Sequence, residues 1–304
     1  MAGRDKPGAA GARCLIPAGG RGSRLRPVSA TIPKELLPVG TRPLLQWCLT
    51  EVLEGGFDDV GVVLSEEKPL LETYLREGRW REGILPAIRA AADELEITVF
   101  RQTHPHGVVD AILSADAWLD EDSIFAVFLP DNVRIGGGPT LTAGHMQRAA
   151  EDGRPVVVCH RVGSEASHFF GNVGRTELDE LVPAGVRPRV AALQERAAGF
   201  FRAPAEGAWR LAPRYVVTAA WLSIARSVVK DSAAAGIEAD DVEVHRRLAA
   251  MRMLDAAPWT GTLVDAGHPG GYLYAQHLLH EAGEREREAP EADALPGSVV
   301  HIQI

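Results

Sequence analysis

The stretch Leu15–Pro38, LIPAGGRGSRLRPVSATIPKELLP, decides the fold. A short apolar run, Cys14–Pro17, has the character of a strand and breaks into a loop carrying Gly19, Gly20 and Gly22. Two cations follow it, Arg24 and Lys34. A strand that opens into a backbone-rich, cationic loop suits phosphate groups, because unpaired N–H groups and nearby positive charge both favour an anion. The glycines alone do not settle this, since a turn needing positive φ also uses glycine. The spacing is neither G-x-x-x-x-G-K-[ST] nor G-x-G-x-x-G, which excludes a P-loop and a dinucleotide fingerprint.

Downstream, strand and helix signals alternate. Val60–Leu64, Ile97–Arg101, Ile124–Leu129 and Pro155–His160 are apolar runs suited to buried strands. Pro43–Leu53, a charged stretch over Lys68–Ala92, and Gly107–Leu119 are predicted helical. The alternation predicts an α/β, Rossmann-like mixed sheet, mostly parallel and flanked by helices. The pattern then loosens. Gly171–Gly174, Val190–Gln194 and Trp209–Val217 predict shorter strands of a smaller insertion. Helices are expected again at Ala219–Lys230, Ala239–Met251 and Pro269–His280, with a short strand at Thr262–Asp265. In such a sheet ligands bind beyond the carboxyl ends of the strands. Those ends carry the glycine loop, Gln102, Pro130-Asp131-Asn132 and Asp265-Ala266-Gly267, which predicts one shared crevice.

Composition narrows the function. The 304 residues carry a net charge of −9, so neither a nucleic acid nor an anionic membrane is expected as partner. A phosphorylated substrate then needs locally focused cations. Cys14, Cys48 and Cys159 stand singly without C-x-x-C spacing and are expected as buried, reduced thiols of a cytoplasmic protein. The first twelve residues lack a signal-peptide core and are expected to be disordered. One domain over residues 13–280 is expected, in two parts that divide near residue 160, followed by a charged tail over 281–304.

The complete string, G-G-x-G-S-R-L-x-P followed by P-K-E-L-L-P and R-P-L-L-Q, resembles the sugar-nucleotide pyrophosphorylases, in particular the bacterial glucose-1-phosphate uridylyltransferase branch. Further segments match in order from about Arg13 to His280: Arg101-Gln102 with Gly107, Leu129-Pro130-Asp131-Asn132, Phe170-Gly171-Asn172, Gln194-Glu195-Arg196 and Val264-Asp265-Ala266-Gly267. The resemblance implies transfer of a nucleotidyl group from an NTP, by default UTP, to a sugar 1-phosphate, by default glucose 1-phosphate. It implies that Ala18, Gly19, Gly20, Gly22 and Ser23 cradle the triphosphate, and that Gln102 and Gly107 read the base. Arg24 would hold the departing pyrophosphate, and Lys34 would neutralise the reacting phosphates. Asp131 and Asp265 would hold Mg²⁺. Asn132, Gly171, Asn172, Glu195 and Arg196 would contact the sugar phosphate. Relatives are commonly dimers or tetramers, so a homo-oligomer is expected.

Physical chemistry suits these residue types. A sugar phosphate is already ionised near neutral pH, its second pKa being about 6, so charge stabilisation matters more than a strong base. The chain also departs from the family. Gly107-Val108-Val109-Asp110-Ala111 stands where Gly-Leu-Gly-His-Ala is usual, Glu195-Arg196-Ala197 replaces Glu-Lys-Pro, and Phe170-Gly171 replaces Tyr-Gly. Asp110 suits the first turn of a helix, where the dipole favours an anion, or else reads a ribose hydroxyl or a cationic group. The changes predict an active transferase with altered base or acceptor choice. Two alternatives stay open, a non-sugar phosphate or phosphonate acceptor and a silent nucleotide-binding protein.

Overall fold

The computed structural model describes residues 11–103, 106–119, 123–171, 174–179, 186–194, 199 and 201–288. In the first half, strands β1 (Arg13–Pro17), β2 (Pro38–Val39), β3 (Arg42–Pro43), β4 (Asp59–Ser65), β5 (Ile97–Gln102) and β6 (Phe125–Phe128) alternate with helices α1 (Leu44–Glu54), α2 (Pro69–Arg76), α3 (Arg89–Glu94) and α4 (Val108–Leu113). The second half contains β7 (Asn132–Ile135), α5 (Ala143–Asp152), β8 (Val156–Val162), β9 (Arg175–Leu178), β10 (Val190–Leu193) and β11 (Ala208–Val217). Then come α6 (Ala219–Ala235), α7 (Asp241–Ala250), β12 (Asp255–Trp259), β13 (Thr262–Asp265) and α8 (Pro269–Glu288).

The main sheet runs β12-β8-β11-β6-β1-β4-β5. β4 and β6 flank β1 in parallel, β5 pairs parallel with β4, and β12 lies parallel to β8, while β11 is antiparallel to both β6 and β8. Side chains alternate across it as period-two pleating requires. Cys14 and Ile16 enter one core with Leu45, Leu49 and Phe128. Leu15 enters the other with Val127, Tyr215 and Trp221. Helices on both faces explain why the strands are continuous apolar runs. All three cysteines are buried and free. The early half of β11 also pairs with β9, and β9 with β10, which builds the smaller sub-sheet.

Several boundaries differ from expectation. The stretch Lys68–Ala92 is not one helix: Gly78 and Gly83 take positive φ and Pro86 opens a new turn, leaving α2 and α3 separated by 3₁₀ turns. The predicted helix Gly107–Leu119 ends at Leu113, and a 3₁₀ turn covers Asp116–Trp118. Helix α8 runs on to Glu288, into the predicted tail, because HEAGERERE is composed largely of good helix formers. Strands β7, β9 and β12 and helix α5 carry too few periodic apolar positions to be found by pattern. Of the candidate site residues, Asn172, Glu195 and Arg196 lie outside the described residues, as do His104 and Pro105.

Candidate active site

The glycine loop begins where β1 stops. Ala18 N donates to the Val63 carbonyl at 2.8 Å, so the chain leaves the sheet only after this point. Gly22 takes φ +64°, the left-handed region glycine enters without strain, and a Cβ there would lie 3.3 Å from the Lys34 Cβ. The loop therefore folds back onto the turn Lys34–Leu36. A buried cation joins the two. Lys68 Nζ donates to the Ala18 carbonyl at 2.6 Å and to Glu35 Oε2 at 2.7 Å. Glu35 itself is fully buried. The P-K-E segment thus uses its glutamate as an anchor, and the preceding lysine is left to face outward into the crevice.

Two carboxylates reach the same crevice from another direction. Asp131 sits in the turn between β6 and β7, and antiparallel β7–β13 pairing sets Asp265 opposite Asn132. Ala266 N donates to the Asp131 carbonyl at 2.8 Å, closing the junction. A Cβ placed on Gly267 would lie 2.6 Å from Asp131 Oδ2, 3.0 Å from Asp265 Oδ1 and 3.0 Å from Arg24 Nη2. Both carboxylates and one guanidinium therefore converge on a single point. Lys34 Nζ donates to Asp131 Oδ2 at 2.5 Å, and Arg24 Nη1 stands 3.6 Å from Asp265 Oδ2. Asn132 Nδ2 donates to Asp131 Oδ1 at 3.0 Å. Among the described residues no cluster of three or more His, Cys, Asp or Glu side chains is suited to a metal. Two convergent carboxylates suit a hard cation that completes its shell with water and substrate oxygens.

The turn bearing Asp131 is held from behind by Arg214, which is fully buried. Its Nη2 donates to Glu51 Oε2 at 3.1 Å and to the Asn132 carbonyl at 2.8 Å, and its Nη1 donates to the Leu129 carbonyl at 2.7 Å. Carbonyls on both sides of Asp131 are thereby fixed. Glu51 in turn accepts from Thr140 N at 3.2 Å and from the Thr140 hydroxyl.

Burial pushes the Asp131 carboxyl up, but the Lys34 charge and hydrogen bond, with Arg24 and Asn132, outweigh it and hold the pKa down at about 2. Burial pulls the Lys34 ammonium down, and the charges of Asp131 and Glu35 reverse this, raising its pKa. The sign for stability follows. A depressed carboxyl contributes stability above its unfolded pKa of about 3.9, and that stability is lost as pH falls toward the folded value. A raised ammonium loses its contribution only in strongly alkaline solution. The pair is intact through neutral pH. Thermal midpoints measured against pH should show an acid limb between about pH 4 and pH 2 that is weaker in Asp131→Asn.

The crevice has a volume of about 340 Å³ and is bounded by Arg24, Lys34, Asp131, Asp265, Gly107 and Arg210 among others. Gly107 takes φ +108°, and a Cβ there would fall 2.3 Å from the Ala239 carbonyl oxygen. Gly107→Ala should therefore cost about 3 kcal/mol, the upper end for a strained backbone position, read as a lower urea midpoint at unchanged m-value. Gln102, at the end of β5, lies against the glycine loop: its Oε1 would be 2.7 Å from a Cβ on Gly19. Its Nε2 donates to Asp110 Oδ2 at 2.8 Å and to the Gly107 carbonyl at 3.2 Å. Both partners are acceptors, so the amide has one orientation, with its carbonyl oxygen on the Gly19 side. Asp110 thus holds the Gln102 side chain in addition to sitting in the first turn of α4.

The structure brings together Arg24, Lys34, Gly107, Asp131, Asn132 and Asp265 around one crevice. Gln102 with Ala18, Gly19, Gly20, Gly22 and Ser23 forms the adjoining strand ends and loop. Gly171 follows Phe170, over whose ring the Arg210 guanidinium lies at 4.9 Å. Sequence reasoning missed Glu35, Glu51, Lys68, Arg210 and Arg214. The two arginines sit on β11, where apolar alternation draws attention away from charge.

A sequence model described as nucleotidyl transferase matches residues 13–198. The chain belongs to the nucleotidyl transferase family. This nucleotidyl transferase is 25% identical over 271 residues to the UTP–glucose-1-phosphate uridylyltransferase of Bacillus subtilis (strain 168), covering 86% of this chain and 88% of that one. The enzymes of the same name from Mycoplasma pneumoniae and Pseudomonas aeruginosa are 33% identical over 139 residues and 35% identical over 130. Those two matches cover 42% and 40% of this chain, and the chain spans about half the length of each relative, 47% and 46%. A solved UDP-glucose pyrophosphorylase in complex with UDP-glucose superposes with a TM-score of 0.68 at 24% identity, over 90% of this chain and 100% of that one. The UTP-bound enzyme from Acinetobacter baumannii superposes at 0.65 with 21% identity, over 90% and 94%. These likenesses show the nucleotide-diphospho-sugar transferase type of fold.

Proposed function

We propose that this nucleotidyl transferase joins UTP to a sugar 1-phosphate, with glucose 1-phosphate the default acceptor, and releases pyrophosphate. The observation that carries the reading is the convergence of Asp131, Asp265 and Arg24 on one point, with Lys34 on Asp131. Asp131 and Asp265 would hold Mg²⁺, which when bound neutralises charge between the two phosphate-bearing substrates. An oxygen of the acceptor phosphate forms a bond to the α-phosphorus. The bond from that phosphorus to the bridging oxygen breaks, and its electron pair leaves with pyrophosphate. No side chain has to remove a proton, because the attacking phosphate is already ionised. The protein positions the two anions and neutralises developing charge. Lys34 faces the reacting phosphates, and Arg24 is exposed enough to follow the leaving pyrophosphate with its planar fork.

The fixed Gln102 amide supports a uracil-type base. Its carbonyl oxygen would accept from a ring N–H, which uracil, thymine and guanine possess and cytosine lacks; the N3–H of a single pyrimidine ring fits the default reading. Asp110→Leu leaves only the 3.2 Å bond to the Gly107 carbonyl to orient the amide, so the UTP-to-CTP ratio of kcat/KM should fall, by up to about tenfold, the value of one hydrogen bond in discrimination. The deciding experiment is a matrix of NTPs against phosphorylated acceptors with pyrophosphate detection. Release with UTP and a sugar 1-phosphate is expected. Release only with non-sugar phosphates would replace the acceptor, and none with any pair would favour a silent nucleotide-binding protein.

A further inference from the structure

The crevice contains a cation that the reactions of Arg24 and Lys34 leave unused. Arg210, on the part of β11 that pairs with β9, lines the crevice and is only 4% exposed. Its Nε is buried without a hydrogen-bond partner, and its Nη1 has a marginal contact of 3.4 Å to the Leu211 carbonyl. Among the described residues no carboxylate lies within 4.0 Å of it. Arg214, four residues on, shows what a structural arginine looks like on the same strand, with a carboxylate and three carbonyls around it. A buried guanidinium without a counter-ion is costly, and such a cost persists where an anionic ligand repays it.

The surroundings indicate where that anion sits. The Arg210 guanidinium lies over the Phe170 ring, and its strand partner His160 is buried and kept neutral, with its pKa held down at about 3. Burial lowers the arginine's own pKa, and Asp265 is the charge that chiefly supports its ionised form. Arg210 thus belongs to the sub-sheet wall of the crevice that Asp131 and Asp265 also line. The side chain's five donors match the oxygens of a phosphate.

We infer that Arg210 binds the phosphate of the acceptor substrate, supplying a cation to the attacking group that is separate from those serving the triphosphate. The inference rests on the nucleotidyl-transfer reading and sharpens it: the acceptor is recognised as an anion by the β9–β11 sub-sheet.

Steady-state kinetics of the wild type, Arg210→Met and Arg210→Lys, with each substrate varied in turn, tests it. The methionine variant should raise the acceptor KM about ten- to hundredfold, the loss of a charge-assisted contact, and move the NTP KM by less than about threefold. The lysine variant should fall between. Because the methionine removes a buried charge that no carboxylate of the described residues contacts, its thermal midpoint should equal or exceed that of the wild type. An unchanged acceptor KM, or equal rises in both KM values, overturns the assignment. So does a lowered thermal midpoint with both KM values unchanged. If the methionine variant does not fold, the lysine variant decides: an acceptor KM raised severalfold supports the role and a wild-type value overturns it. If the wild type releases no pyrophosphate with any pair, the functional reading fails, and orthophosphate becomes the probe. Stabilisation of the wild type by orthophosphate that is lost in Arg210→Met supports the anion site, whereas equal responses overturn it.

Discussion

Lys34→Met is expected to lower kcat by about 10²–10³-fold, the range for removing one preorganised charge from a transition state. The methylenes of methionine preserve the packing against the glycine loop while the ammonium is lost. Lys34 stands on a turn anchored by Glu35 and Lys68, so its position is fixed before substrate arrives. That preorganisation is why the loss should fall on kcat rather than on the NTP KM. A second effect accompanies it. Asp131 loses its partner at 2.5 Å, its pKa rises toward the unfolded value, and the acid limb of stability between about pH 4 and pH 2 weakens. Single-turnover pyrophosphate release and a pH series of thermal midpoints read the two effects separately.

Arg214→Met should destabilise the protein by about 3–5 kcal/mol, the usual result of removing one partner from a buried ion pair. Glu51 Oε2 and the carbonyls of Leu129 and Asn132 would each lose the guanidinium as a donor. Urea unfolding measures the loss. Combining Arg214→Met with Glu51→Leu should restore much of the stability, because no buried charge is then left alone. Activity should stay low in the double variant, since the guanidinium that braces the turn presenting Asp131 is gone. Recovery of both stability and activity would show that the brace has no role in positioning.

The chain disclosed its chemistry more readily than its architecture of support. The glycine loop, Lys34, Asp131 and Asp265 are legible because glycine, cationic and acidic residues at strand ends stand out against apolar strands. The parallel strands β1, β4, β5 and β6 are legible for the complementary reason: burial on both faces makes each one a continuous apolar run. What stayed hidden depends on contacts distant in sequence. Lys68 meets Glu35 across 33 residues, and Arg214 meets Glu51 across 163. Neither pair has a local signature. Asp110 was visible as a departure from the family, but its hydrogen bond to Gln102 required the turn of Gly107 that brings α4 back toward β5. Strand β7 was missed because four residues, NVRI, give too short a pattern, although its pairing with β13 is what joins the two carboxylates.

Asp131, Asp265, Lys34 and Arg24 are proposed to act as one centre for nucleotidyl transfer. Pyrophosphate release from UTP and glucose 1-phosphate, measured with Mg²⁺ and with excess EDTA for the wild type and Asp131→Ala, tests this role most directly. Release by the wild type with Mg²⁺ is expected, with loss of that release on chelation or in the variant. Undiminished release in Asp131→Ala, or no release from any NTP and phosphorylated acceptor, would contradict that role.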